Sequence, residues 1–197
     1  MMTIMMEQMT VTVMMTNYKV IAAGQEPVKF NPGDFILVST TGVLAKFIRF
    51  GQFVRYHGDM KPFAFWNHTA MIVDENGTIV EAVGRGVRYA HIDEYKDVEY
   101  YLVNTKLNKQ SRDQAVTACK SFVKDKYGWF TIASITVELL TGIKLQFSLN
   151  NSMICSAVVS QSLWAGGIIF NRNPFQMMPA DLASAFNVDT TKGNKVS

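Results

Sequence analysis

The chain has 197 residues, of which 48% are hydrophobic and 18% are charged, and its formal net charge is +3. This length and hydrophobicity predict one domain with a substantial buried core, and they exclude a disordered linker. The 19 basic and 16 acidic residues form no long basic run, so the charge pattern disfavours nucleic acid as the main partner.

Residues 1–29 are predicted to be a Met-rich N-terminal arm, either frayed or strand-forming. Seven of its first fifteen residues are methionines, and translation could start at any of them. The arm has no basic leader and no small-residue cleavage site, so it does not predict a signal peptide. We therefore expect a cytoplasmic location at synthesis.

The first half of the main segment alternates strand and helix patterns. "NPGDFILVS" predicts a Pro-Gly turn and a buried strand, and "TTGVLAKFIRFGQF" predicts a helix. "HTAMIVD" and "TIVEAV" predict a hairpin across residues 74–77, and "VEYYLVN" predicts a further strand. Together with the helices that follow, this order predicts an α+β fold.

The second half is predicted to be mainly helical. "SRDQAVTACKSFVKDK" predicts a helix capped by Ser111, with Cys119 in a buried stripe. The stripe consists of Ala115, Val116, Cys119, Phe122 and Val123. "GWFTIASITVELLTG" predicts a second helix, which Glu138 makes too polar and too short for the roughly 20 apolar residues of a membrane span. No transmembrane segment is predicted.

Two more helices are predicted near the C-terminus. "CSAVVSQSLWAGG" predicts a helix with Cys155 at its start and a glycine stop, and "MPADLASAF" predicts a short last helix. Residues 188–197 form a polar C-terminal tail. Cys119 and Cys155 form neither a close pair nor a cluster with histidines, which disfavours a disulfide scaffold and structural zinc.

His68 and Glu81 are ionisable residues in the otherwise apolar strands of the predicted hairpin. If the hairpin closes through the whole four-residue loop, or through a two-residue Asn76-Gly77 turn, both side chains project from one face. A loop of three or five residues would put them on opposite faces. Because both strands are apolar on both faces, Glu81 needs a partner, and His68 is the nearest candidate.

Cys155 is the candidate nucleophile. At a helix start, unpaired backbone amides and the helix dipole favour a thiolate and could stabilise an oxyanion. A histidine held by a carboxylate would supply the base of a catalytic triad. The alternative, a small apolar residue on a buried helix, stays open on spacing alone.

The order of "PGDFILVS", "WNHTAMIVD", "TIVEA", "YGWFTIAS", "CSAVVSQSLWAGG" and "PADLASA" resembles the circularly permuted branch of the NlpC-type papain-fold hydrolases. This YiiX-like group has lecithin retinol acyltransferase among its distant relatives. In the permuted branch the histidine strand precedes the cysteine helix, as it does here. The resemblance covers about residues 30–187, which we take as the hydrolase domain.

The resemblance implies a permuted papain-like fold, with an antiparallel sheet or small barrel packed against helices and the nucleophile at a helix start. It implies Cys155 as nucleophile, His68 as base and Glu81 as the third polar residue, and it requires no metal or organic cofactor. The implied reaction is hydrolysis of an amide, such as a bacterial cell-wall peptide. The acyltransferase relatives leave a lipid-directed acyl ester open.

Other residues have a structural and a functional reading. Tyr127 and Trp129 could line a substrate cleft, although aromatic core packing is the simpler interpretation. His57 and His91 lie in polar sequence and are predicted to be surface residues, and Ser156 is predicted to support the helix start.

A non-enzymatic binding module or phage structural module that retains the fold is the alternative from another class. A phage origin would allow a virion-associated location. Substrate identity and oligomeric state stay open.

Overall fold

Six antiparallel strands form one open sheet in the computed structural model, which describes residues 17–25, 29–41, 43–83, 86–124 and 155–189. The strands are β1 (Tyr18–Ile21), β2 (Phe35–Val38), β3 (His68–Ile72), β4 (Thr78–Val83), β5 (Gly86–His91) and β6 (Tyr100–Val103). Their order across the sheet is β1-β6-β2-β3-β4-β5. The predicted α+β class is therefore confirmed, and β1 of the predicted N-terminal arm is an edge strand.

The described α-helices are α1 (Val43–Arg55), α2 (Lys109–Ser121), α3 (Cys155–Ala165) and α4 (Pro179–Ala185). Short 3-10 helices span Gly58–Phe65, Ile92–Tyr95, Phe122–Lys124 and Pro174–Gln176. The helix predicted over "GWFTIASITVELLTG" lies outside the described residues. Within the described ranges, none of the helices has the length and apolar character needed to cross a bilayer.

The sheet is buried on both faces, as the uninterrupted apolar strands predict. In β2, Phe35 and Leu37 pack into a core cluster shared with the helices, while Ile36 and Val38 pack into a second cluster. The second cluster also contains Ile72, Ile79, Ile92 and Tyr95. This arrangement leaves β3 and β4 enclosed, so a charged residue on either strand must find a partner inside the protein.

The β3-β4 hairpin closes through the four residues Asp74 to Gly77. Met71 pairs with Val80, Ile72 pairs with Ile79, and the amide of Val73 donates to the carbonyl of Thr78 at 2.9 Å. Asp74 Oδ1 accepts from the amides of Asn76 and Thr78, both at 2.9 Å. This is the first of the two predicted registers.

Gly77 is required at the end of this turn. Its φ of +89° is a conformation that other L-residues rarely adopt, and a Cβ atom there would stand 2.8 Å from Ile92 Cγ2. The glycine therefore permits the tight turn that closes the hairpin with His68 and Glu81 on one face of the sheet.

The start of α2 differs from the sequence prediction. The cap is Asn108, whose side chain accepts from the amide of Ser111 at 3.0 Å, so Ser111 is not the cap and already lies within the helix. Asparagine is as good a cap as serine, and here it comes three residues earlier. The predicted buried stripe is confirmed in part. Ala115 and Cys119 are fully buried, whereas Val116, Phe122 and Val123 are partly buried against the helix-side cluster, and the last two lie in the following 3-10 helix.

Candidate active site

His68 and Glu81 form a hydrogen-bonded pair inside the sheet. His68 begins β3, Glu81 lies in β4, and the hairpin register places the two one diagonal step apart. His68 Nε2 lies 2.8 Å from Glu81 Oε2. The Glu81 side chain is fully buried, whereas the His68 side chain is 13% exposed.

Glu81 has two further partners that the sequence analysis did not identify. Arg88 lies directly opposite Glu81 in the β4-β5 pair, and its Nε donates to Glu81 Oε1 at 2.9 Å. The Tyr95 hydroxyl donates to Glu81 Oε2 at 2.5 Å. Both carboxylate oxygens are therefore occupied, as burial of a charged group requires.

These contacts keep Glu81 ionised. Burial alone would raise the pKa of its carboxyl, but the hydrogen bonds and positive charge of its partners, His68 first, lower that pKa to about 2. Arg88 is itself fixed from the solvent side, because its Nη2 also contacts Glu94 Oε2 at 2.5 Å. Glu81 is thus a carboxylate with a fixed orientation at neutral pH.

Cys155 is close enough to His68 to interact with it electrostatically. It is the first residue of α3, and its negative charge when ionised favours the protonated imidazole of His68. Because Nε2 is engaged by Glu81, Nδ1 is the ring nitrogen available to the Cys155 sulfur. His68 begins β3 and Cys155 begins α3, so the two element starts and Glu81 together form a Cys-His-Glu series.

The charge state of His68 follows from these neighbours. Burial lowers the pKa of the imidazole, but a Cys155 thiolate and the Glu81 carboxylate raise it, with a net result of about 10. The Tyr95 ring stacks on the imidazole with a centroid separation of 5.9 Å. The ring is therefore held in one orientation and favoured as the imidazolium.

The start of α3 is anchored by Ser156, in agreement with the sequence prediction. Its hydroxyl is fully buried and donates to the carbonyl of Met177 at 2.6 Å. This contact ties the first turn of α3 to the segment before α4. The position of Cys155 relative to the sheet is consequently fixed by the helix layer.

Comparison with known proteins adds no assignment. No family model matches the chain, and none of the curated proteins is significantly similar to it. In the part of the chain that the structure describes, no three His, Cys, Asp or Glu side chains are grouped so that they could hold a metal ion.

The structure brings Cys155, His68 and Glu81 together. The other two predicted site residues, Tyr127 and Trp129, lie outside the described residues. His57 and His91 are exposed, as predicted.

Arg88 and Tyr95 are the members that the sequence analysis missed. The turn signal "GRG" at residues 84–86 could have indicated a second hairpin, since a two-residue loop there would place Arg88 opposite Glu81. Tyr95 had no comparable signal because it follows β5 in a 3-10 helix.

Cys119, the other thiol, has no acid-base partner of the catalytic type among the residues that the structure describes. It is fully buried in α2, and burial raises its pKa to about 12, although a hydrogen bond with Ser162 and the charge of Lys120 act in the opposite direction. The thiol is therefore neutral at physiological pH and unsuited to attack a carbonyl.

Replacing Cys119 with alanine is expected to lower the free energy of unfolding by about 1–2 kcal/mol, because it leaves a small cavity between α2 and α3. Activity per folded molecule should stay at the wild-type level. Urea denaturation gives the first quantity, and turnover corrected for the folded fraction gives the second. Loss of activity in a fully folded Cys119→Ala protein would mean that the reactive thiol has been assigned wrongly.

The free energy of unfolding is expected to fall as the pH drops from about 4.5 towards about 2. The Glu81 pKa is lower in the folded protein than in the unfolded chain, so the unfolded chain binds the proton first on acidification. A shift of this size corresponds to about 3 kcal/mol. For His68 the dependence of stability on pH has the opposite sign, because its pKa is higher in the folded protein than in the unfolded chain. Its contribution to the free energy of unfolding is fully present below about pH 6.5 and is lost as the pH rises through about 10.

The measurement is urea denaturation across this pH range. Glu81→Gln should lack most of the acid-side slope, whereas Asp113→Asn, at an exposed Lys109 pair, should retain it. An unchanged slope in Glu81→Gln would contradict the assigned pKa shift.

Proposed function

We propose that this chain is a thiol hydrolase in which Cys155 is the nucleophile, His68 the general base and acid, and Glu81 the residue that orients His68. The observation that carries the proposal is the His68 imidazole, which lies 2.8 Å from a fully buried carboxylate and interacts electrostatically with Cys155 at the start of α3. Such a series activates a weak nucleophile by pairing it with a fixed base.

In the first half of the reaction, the Cys155 thiolate attacks the carbonyl carbon of an amide. The new C–S bond places negative charge on the carbonyl oxygen, and the free backbone amides in the first turn of α3 can stabilise that charge. When the C–N bond breaks, the His68 imidazolium gives its proton to the departing amine. The products are the free amine and a thioester on Cys155.

In the second half, water hydrolyses the thioester. Neutral His68 removes a proton from the water as its oxygen attacks the thioester carbonyl, and the C–S bond then breaks. The acid leaves, and the Cys155 thiolate and the His68 imidazolium are restored. Glu81 remains ionised throughout and keeps the ring in the orientation that both proton transfers need.

The order of elements supports a permuted papain-like fold for this hydrolase. The histidine strand β3 precedes the cysteine helix α3 along the chain, and α3 packs in the helix-side core against the sheet that carries His68. The site is therefore built from a helix start and the start of a strand. A peptide bond, such as that of a bacterial cell-wall peptide, is the proposed substrate, and a lipid-like acyl ester is the alternative for the same chemistry.

One observation favours a second candidate function, a non-enzymatic binding module or phage structural module that retains the fold. Cys155 is only 2% exposed, whereas a nucleophile must reach its substrate. In that case the Glu81-His68 pair would serve to satisfy buried polar groups.

Thiol labelling separates the two functions. A peptidyl chloromethyl ketone near neutral pH should alkylate Cys155 selectively, and mass spectrometry of the digested protein locates the modified residue. His68→Ala should slow the labelling, while exposed His57→Ala provides a matched control that should not. Equal inertness of Cys155 and Cys119 in the folded wild-type protein would contradict the enzyme and support the binding module.

A further inference from the structure

Helix α1 presents an apolar surface to solvent. Phe50 is 54% exposed, Phe53 is 60% exposed and Val54 is 36% exposed. Spacings of three and four residues place these side chains on one side of the helix. Isolated exposed apolar residues are common, but adjacent large ones on one helix face mark an interaction surface.

This exposed side is not the face with which α1 joins the core. Ala45 and Gln52 are buried on the opposite side, where Gln52 Nε2 donates to the carbonyl of Trp66 at 2.6 Å and Gln52 Oε1 accepts from the amide of Ala180 at 2.9 Å. The helix therefore has a buried face that attaches it and a second, apolar face directed outward.

Phe65, which is 43% exposed, extends the same surface at the end of the neighbouring 3-10 helix. The Arg49 guanidinium lies over its ring at 5.3 Å and links it to α1. We name Phe50, Phe53, Val54 and Phe65 the aromatic ridge.

Exposed positive charge lies on the same helix as the aromatic ridge and in the segment that follows it. Lys46, Arg55 and Lys61 are exposed, and α1 contains no acidic residue. Asp59 is the one acid between residues 43 and 65. Exposed aromatic side chains flanked by lysine and arginine are suited to the interface of an anionic membrane, where the rings enter the acyl boundary and the cations contact the headgroups.

The charge pattern also disfavours a second copy of the chain as the occupant. A two-fold interface would bring each ridge against its own counterpart, so that Lys46 and Arg55 would face like charges. We propose that the aromatic ridge docks the protein on the surface of an anionic lipid bilayer, with α1 lying parallel to that surface.

The aromatic ridge lies near the candidate active site. Phe65 precedes His68 by three residues. Val38 pairs with His68 in the sheet. The next residue, Ser39, is hydrogen-bonded to Arg49 of α1. Docking would thus bring the His68 end of the sheet close to the bilayer. The further step, that the substrate is held at or in that surface, rests on the proposed hydrolase function.

Vesicle co-sedimentation tests the docking. The full chain should bind vesicles of phosphatidylcholine with phosphatidylglycerol, bind pure phosphatidylcholine vesicles much less, and lose affinity as salt is added. The double variant Phe50→Gln with Phe53→Gln should bind at least about tenfold more weakly, because two rings no longer leave water. Lys46→Gln with Arg55→Gln should remove most of the preference for phosphatidylglycerol.

Phe175→Gln is the matched control, since Phe175 is 58% exposed but belongs to a different element, the 3-10 helix Pro174–Gln176. It should bind like the wild type. The proposal is overturned if the wild type does not bind phosphatidylglycerol vesicles, or if the double phenylalanine variant binds as well as Phe175→Gln. It is also overturned if sedimentation equilibrium shows a dimer that the double variant dissociates, because a second copy would then cover the ridge.

The same variants separate docking from catalysis. Cys155→Ala should bind vesicles like the wild type, and the double phenylalanine variant should keep its reactivity toward a water-soluble thioester. If the wild type binds vesicles but does not react with the thioester, the hydrolase proposal is refuted and the docking proposal stands. If it reacts with the thioester but does not bind vesicles, the docking proposal is refuted and the hydrolase proposal stands.

Discussion

Replacement of His68 or Cys155 with alanine is expected to reduce turnover by at least about a thousandfold, and the double variant should be little worse than either single variant. Residues that act as one unit in the transition state lose their effect together, so their losses do not add. The measurement is steady-state hydrolysis of a thioester or amide model substrate. Full additivity of the two losses would contradict a shared Cys155-His68 step.

Folding should not obscure this comparison. In His68→Ala the Glu81 carboxylate keeps Arg88 and Tyr95 as partners, so no buried charge is left unpaired. Exposed His57→Ala is the matched control and should turn over substrate at the wild-type rate. Circular dichroism and thermal unfolding establish that each variant is folded before its rate is interpreted.

Loss of Glu81 is expected to have the largest effect on stability. Glu81→Ala leaves His68, Arg88 and Tyr95 without their common acceptor, and removal of one partner from a buried ionic network costs about 3–5 kcal/mol. Glu81→Gln should be milder, because it keeps one acceptor oxygen and the shape of the side chain. Urea denaturation measures both.

Glu81→Gln should also change the pH profile of activity. It removes a negative charge that raises the His68 pKa, so the imidazolium is lost at a lower pH and the alkaline limb of the profile moves downward. Tyr95→Phe is the comparison variant, because it keeps the ring that stacks on His68 and removes only the hydroxyl that donates to Glu81. It should lower the free energy of unfolding by about 1 kcal/mol. A profile for Glu81→Gln identical to that of the wild type would contradict an orienting role for the carboxylate.

The sequence predicted the His68-Glu81 pair because two local signals agreed. The polar residues 74–77 predicted the hairpin. The apolar strands predicted that Glu81 is buried away from water and therefore needs a partner within the protein. Strand periodicity did not decide between the two possible registers. The turn is also held by a tertiary contact, since the amide of Ile92 donates to the carbonyl of Gly77 at 3.0 Å.

Other parts of the structure depend on contacts between elements that are distant in sequence. Tyr95 reaches Glu81 from a 3-10 helix, and such a short segment has no hydrophobic periodicity from which its direction could be read. The exposure of the aromatic ridge residues on α1 could not be predicted either, although the helix itself was. This helix is apolar on two sides, and the sequence alone does not show which side enters the core.

The most direct test of the central claim is whether an acyl group is transferred to the Cys155 sulfur. A model ester, p-nitrophenyl acetate, is mixed with the protein, the reaction is quenched with acid at short times, and mass spectrometry locates the acetyl group. The account predicts an acetyl thioester on Cys155 that forms rapidly and then hydrolyses, forms slowly in His68→Ala and is absent from Cys155→Ala. Acetylation of Cys155 at the same rate in the wild type and in folded His68→Ala, or no acetylation of Cys155 at all, would contradict it.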